Sequence, residues 1–206
     1  MKYVMKAKIC GITNLEDALL AANNGAWAIG FNFYKHSPRY VPLKKAREIS
    51  SQLPRDIIKV GVLIDYSKEE ALDVSEFLDL VQIYQQDSSS FFEKKRIILA
   101  LQASSKDELP TSSILQQYGF ILLDAPKQED GLRGGTGRLA NWDLAKELTR
   151  DYKLILAGGL NNLNVETAIK CVQPFAVDVA SGVEERPGSK SPVEVKNFLI
   201  RCKNVK

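Results

Sequence analysis

The chain has 206 residues, 45% of them hydrophobic and 26% charged, with a formal net charge of +3 and no Gly-, Ser- or Gln-rich tract. That composition excludes a disordered chain and supplies a sizeable core, and the length suits one domain over residues 1–206. Three cysteines without CxxC spacing and a single histidine, His36, exclude a disulfide framework, a multi-His zinc centre and any His-based triad that leaves His36 out.

The positive charge is small and clustered only over 44–47 and 94–96, which speaks against a nucleic-acid partner. No run reaches the roughly 18 apolar residues a membrane span needs. Residues 1–8 lack a signal-peptide pattern, so no membrane partner and a cytoplasmic location are expected.

In chain order, short runs rich in Val, Ile and Phe predict strands over 4–10, 28–33, 57–63, 80–84, 96–101, 120–123, 153–157 and 176–179. Amphipathic patterns between them predict helices over 15–24, 43–53, 69–78, 142–149, 165–172 and 193–202, several behind an Asn, Ser or Pro start signal. The middle is weaker. Segment 88–95 is short, and the polar stretch 104–117 contains Pro110, so helices four and five are expected to be shortened or partly replaced by loop. Eight strands alternating with helices fit an α/β fold, either a closed (β/α)8 barrel or an open doubly wound sheet.

In a barrel the reacting groups sit at the C-terminal strand ends, with phosphate often held after strands seven and eight. Here strand one ends in Lys8-Ile9-Cys10-Gly11-Ile12-Thr13, strand two runs into Ser37-Pro38-Arg39-Tyr40, and strand six ends in Asp124. Strand seven leads to Ala157-Gly158-Gly159-Leu160, and strand eight to Ala180-Ser181-Gly182-Val183-Glu184. Taken one at a time these have plain explanations. A strand-end cysteine is ordinarily a small buried hydrophobe, an aspartate there often caps a turn, and paired glycines mark tight turns.

In order, KICGIT, GFNFYKHSPRYV, LLD, GGTG, LAGGL and ASGVE resemble phosphoribosylanthranilate isomerase, over nearly the whole chain. The resemblance implies a single (β/α)8 TIM barrel that performs the Amadori rearrangement of N-(5-phosphoribosyl)anthranilate in tryptophan biosynthesis. It implies a small phosphosugar substrate, no cofactor and no metal, in a monomer or homodimer. It also implies Cys10 as general base and Asp124 as general acid.

The chemistry asks for the same residue types. Opening the furanose requires a proton on the ring oxygen, and removing the C2 proton from the resulting iminium requires a base. Asp124 follows the apolar run 120–123, where desolvation is expected to raise its pKa. Lys8, two residues before Cys10 and on the same side of the strand, is expected to favour the thiolate.

For the 5′-phosphate the candidates are Gly158, Gly159, Ser181 and Gly182, with Gly135 contributing from the loop after strand six. Arg39 suits the anthranilate carboxylate because a guanidinium matches it bidentately. Gln82 and Asp178 are supporting candidates. Glu184 and Glu185 are expected to point away from a phosphate or cap their loop, and His36, Cys171 and Cys202 to take no part.

The sequence departs from the family after strand four. A Gln-Leu-His-Gly run is usual there, and Gln82-Ile83-Tyr84-Gln85 stands instead. Three other readings compete. A related isomerase acting on a histidine-pathway aminoaldose, alone or in addition, would be expected to carry aspartate at Cys10. A pentose-phosphate epimerase would need several metal-binding histidines. A phosphate-ligand-binding barrel whose chemistry has lapsed draws only on the strand-four change.

Overall fold

The computed structural model describes residues 4–84, 92–126 and 139–205. Eight parallel strands close into a barrel in chain order: β1 (Lys6–Cys10), β2 (Ala28–Asn32), β3 (Ile58–Leu63), β4 (Leu80–Ile83), β5 (Ile97–Gln102), β6 (Phe120–Asp124), β7 (Leu154–Leu156) and β8 (Ala176–Val179). The barrel closes by pairing the first strand with the last, with Lys8 opposite Asp178. Of the two folds the strand pattern allowed, the closed one is present.

Helices α1 (Leu15–Asn23), α2 (Leu43–Ser51), α3 (Lys68–Ser75), α4 (Ser112–Leu115), α5 (Trp142–Leu148), α6 (Val165–Val172) and α7 (Pro192–Asn204) cover the sheet. The starts of α1, α3, α5 and α7 are set by local side-chain hydrogen bonds. Asn14 accepts from the Asp17 amide before α1, Ser67 and Glu70 form a reciprocal capping box on α3, and Ser191 accepts from Glu194 ahead of Pro192 on α7. As expected, the middle is thin. Residues 94–96 and 106–108 form single 3-10 turns, and α4 has one turn, beginning just after Pro110.

Two apolar layers hold the strands. An inner plug of Ala28, Val60, Ile98, Ala100, Leu122, Ile155, Ala157 and Ala176 fills the barrel. An outer layer, including Ile9, Ile29, Phe31, Leu99 and Leu123, packs beneath the helices. Burial on both faces explains why these strands read as near-continuous apolar runs. Above the plug the interior becomes polar, with Lys8, Gln82, Asp124 and Asp178 all buried. A small antiparallel hairpin, β9 (Glu184–Arg186) and β10 (Ser189–Lys190), follows β8 and lies outside the barrel order; sequence periodicity does not reveal it.

Candidate active site

The C-terminal mouth of the barrel opens into a cavity of about 170 Å³. Cys10, Arg39, Gln82, Asp124, Gly158, Gly159, Asp178 and Ser181 all line it, so residues from six segments of chain converge on one space. A neighbouring cavity of about 210 Å³ opens between the loops after β2 and β3 and shares Tyr34, His36 and Ile64 with it.

In the middle of β1, Lys8 is fully buried, and its ammonium donates to Asp178 Oδ1 at 2.9 Å and to Gln82 Oε1 at 3.0 Å. Burial alone would lower the Lys8 pKa, but Asp178 and Cys10 raise it above its usual value, so the charge is retained. Lys8 therefore lies below the cavity as a charged floor.

Burial raises the Cys10 thiol above the ordinary 9.0; Lys8 and Lys190 oppose the rise, while Asp178 adds to it. Lys8 thus favours the thiolate, as its spacing suggests, and is outweighed by desolvation. Space for the thiol comes from Gly30, opposite Cys10 on β2. A Cβ at Gly30 would stand 2.7 Å from Cys10 Sγ and 3.2 Å from Lys8 Cε.

Asp124 ends β6. Burial is the leading cause that lifts its carboxyl from 3.8 to about 6; the nearby Asp178 adds to the rise, while the Ala125 amide and Lys8 oppose it. The Ala125 N–H donates to Oδ1 at 2.8 Å, leaving Oδ2 toward the Tyr84 hydroxyl at 3.5 Å. Gln82 Nε2 in turn donates to that hydroxyl at 3.2 Å. The residue standing at the usual histidine position thus sits against the candidate acid.

The loops after β7 and β8 form the far wall. Gly158 and Gly159 adopt φ of +77° and +61°, a backbone that other residues take up at a cost. A Cβ at Gly158 would come within 2.7 Å of the Ala125 amide nitrogen. Asn164 Nδ2 holds the Gly159 carbonyl at 3.0 Å, fixing this loop to the start of α6. Gly182 plays a different part from Ser181. It lies behind the lining, where a Cβ would meet the Leu160 carbonyl at 2.0 Å, so it lets the two loops pack together. Gly135 and the rest of GGTG, with Gln85, lie outside the described residues.

Arg39 reaches the cavity across β1. A Cβ at Gly11, where φ is +75°, would stand 2.6 Å from Arg39 Cδ, so the bare glycine lets the arginine stem pass over the strand end. Glu184 turns toward Arg39 and Lys190 and accepts from the Gly188 amide at 3.3 Å, so it caps its own loop, one of the two roles expected of it, outside the cavity lining. His36 lines both cavities and packs against Tyr34, ring centroids 5.3 Å apart. Cys171 is exposed, and Cys202 is buried beneath α7 with its thiol pushed up to about 12. Among the described residues, no group of three or more His, Cys, Asp or Glu is placed to hold a metal ion, and no helix is long and apolar enough to cross a membrane.

Residues 7–201 match the family model described as N-(5'phosphoribosyl)anthranilate (PRA) isomerase. The N-(5'-phosphoribosyl)anthranilate isomerase of Thermotoga neapolitana is 41% identical over 98% of this chain and 100% of its own. The crystal structure of the Thermotoga maritima phosphoribosyl anthranilate isomerase superposes with a TM-score of 0.84 at 39% identity, covering 97% of this chain and 98% of that one. A further phosphoribosyl anthranilate isomerase structure, in complex with reduced 1-(o-carboxyphenylamino)-1-deoxyribulose 5-phosphate, gives 0.83 at 36% identity over 97% of this chain and 98% of that one.

Proposed function

Because the chain belongs to the N-(5'-phosphoribosyl)anthranilate isomerase family, we propose that Cys10 and Asp124 divide between them the two proton transfers of that reaction, within one catalytic domain spanning 1–206. The protein is an aldose-ketose isomerase of tryptophan biosynthesis. It converts N-(5-phosphoribosyl)anthranilate to 1-(2-carboxyphenylamino)-1-deoxyribulose 5-phosphate.

Asp124 donates its proton to the ribose ring oxygen as the C1–O bond breaks, and the anthranilate nitrogen supplies the electron pair that forms the iminium. Cys10 thiolate then removes the C2 proton, and the C2–H electron pair moves to give the enolamine. Tautomerisation puts a proton on C1 and takes one from the C2 hydroxyl. C1 is reduced and C2 oxidised within one molecule, so no redox cofactor is required.

The observation that carries this assignment is the convergence of a carboxyl raised by burial and a thiol above a buried ammonium on one cavity, from β6 and β1. A general acid needs a pKa near the working pH, and about 6 meets that need. Glycine backbone of the loop after β7, together with Ser181, offers N–H groups to the 5′-phosphate, and Arg39 offers its guanidinium to the ring carboxylate.

The protonation states needed are Cys10 ionised and Asp124 neutral, the reverse of their pKa order. That form carries the same number of protons as its counterpart, so kcat/KM is level between the two pKa values.

The assay that tests this uses freshly generated phosphoribosylanthranilate and follows loss of its fluorescence in wild type and Cys10→Ala. Wild type is expected to turn over, and the variant to lose about 10³-fold in kcat while still binding the reduced product. Undiminished turnover in Cys10→Ala would remove the base assignment.

A further inference from the structure

Arg39 is held before any substrate arrives. Glu184 takes its Nε–H side-on, at 2.9 Å to Oε1 and 3.1 Å to Oε2, and Nη2 donates to Oε2 at 2.8 Å. Lys190 Nζ donates to Glu184 Oε1 at 2.9 Å and to the Ala180 carbonyl at 3.1 Å. These are built contacts rather than surface encounters: side-chain exposure is 12% for Arg39, 4% for Glu184 and 0% for Lys190.

We infer that Arg39, Glu184 and Lys190 together form the carboxylate-recognition device of the cavity, with Glu184 aiming the guanidinium and Lys190 supplying the surplus positive charge. This rests on the assignment of Arg39 to the substrate's ring carboxylate.

A guanidinium carries five N–H donors in one plane. Side-on pairing through Nε and Nη2 leaves the Nη1–Nη2 end open, a second fork that fits another carboxylate without dislodging the first. Charge decides whether that fork attracts. Arg39 with Glu184 is neutral, and adding Lys190 returns the group to one net positive charge. Burial alone would raise the Glu184 carboxyl, yet Arg39 and Lys190 bring it below the ordinary carboxylate range, so it stays ionised in the working pH range.

The scaffold supports the same purpose. The β9–β10 hairpin that carries both residues is fixed to the first loop and helix: Thr13 Oγ1 donates to the Gly188 carbonyl at 2.6 Å, and the Lys190 amide to Asp17 Oδ2 at 2.9 Å. Gly188, at φ +81°, brings the hairpin against the Pro38 carbonyl, where a Cβ would stand at 3.0 Å. Strand eight's loop thereby clamps strand two's loop over the end of β1. Glu184 is a positioning residue that acts on substrate through Arg39, and Lys190 holds Glu184 while adding its charge.

The test compares binding of the reduced product with binding of its counterpart lacking the ring carboxylate, in wild type, Glu184→Gln and Lys190→Met. The readout is the ratio of the two affinities. Glu184→Gln adds one net positive charge, so simple attraction would raise that ratio; loss of aim is expected to lower it about tenfold and to raise KM similarly, with kcat within about twofold. Lys190→Met is also expected to lower the ratio about tenfold, by removing the surplus charge. A ratio equal to or above wild type in either folded variant would overturn the proposal, even if both ligands bind more weakly. The two variants probe separate halves, so misfolding of one leaves the other decisive. Arg39→Lys is the control: an unchanged ratio there would sink the carboxylate assignment itself.

Discussion

The two sides of the barrel mouth are built on opposite electrostatic plans. Around β8, β1 and β2 lie Asp178, Lys8, Cys10, Arg39, Glu184 and Lys190, with Lys8 bound to Asp178 and Glu184 to Arg39 and Lys190 by hydrogen bonds near 3 Å. Around β4 to β6, Asp124 has one amide and one distant phenol as hydrogen-bond partners, and burial outweighs the opposed influences of Asp178 and Lys8. The difference follows from what each proton transfer needs. A thiolate must be drawn out by cations, whereas a carboxyl stays protonated only where charge is poorly solvated. It also explains where the sequence departs from its family: the acid side depends on a general lack of solvation, which tolerates a Tyr-for-His exchange better than a paired-charge floor would.

The sharpest way to break this contrast is Asp124→Asn. A kcat loss of about 10²- to 10³-fold is expected, with affinity for the reduced product little changed. Stability should move the other way. The folded carboxyl, at about 6, lies above its ordinary 3.8, so the native state binds more protons between those values and stability falls as pH rises through about 6. At pH 7 that penalty is fully present, and a neutral amide removes it. Asp124→Asn is therefore expected to unfold at higher urea, by about 1–3 kcal/mol at pH 7 and by almost nothing at pH 3. Equal stability at both pH values would show the site is solvated.

On the base side the corresponding change is Gly30→Ala. The added methyl meets Cys10 Sγ at 2.7 Å with the Cys10 backbone 3.1 Å away, so the thiol must move. About a 10- to 100-fold loss of kcat is expected, as displacement of a reacting atom by several tenths of an ångström costs that order, with phosphate-ligand binding kept. Wild-type kcat would show that the thiol position is not critical.

Tyr84→Phe is the mildest. The phenol accepts from Gln82, so its own proton is directed at Asp124 Oδ2 and favours the carboxylate. Removing it should move the acidic limb of kcat/KM, set by Asp124 near 6, upward by about half a pH unit and change plateau kcat/KM by roughly threefold or less. Asp124 also faces Lys8 and Asp178, which the variant leaves in place. A limb unmoved in Tyr84→Phe would detach Tyr84 from the acid.

Much of this was legible in the sequence because strand ends are local features. Cys10 and Asp124 each close an apolar run, and the runs themselves mark the eight strands. Gly30 was visible only as a glycine inside a strand, a sign of close approach whose cause is the neighbouring strand. Knowing that it faces Cys10 requires the β1–β2 register. The Glu184–Arg39 contact joins residues 145 apart, and the hairpin presenting Glu184 is too short for periodicity to show. Glu184 caps its own loop, as expected, by accepting from the Gly188 amide at 3.3 Å; its pairing with Arg39 and Lys190 is what the sequence does not show.

The seam where β8 meets β1 has a bearing on how the molecule comes into being. Lys8 and its counter-ion Asp178 stand 170 positions apart. Until β8 leaves the ribosome, the ammonium beside Cys10 has no carboxylate opposite it and the barrel has two raw edges. The paired floor of the site is therefore complete only when β8 closes on β1, and chains truncated before β8 are expected to lack activity. Activity regained during refolding is therefore expected no earlier than closure of the ring.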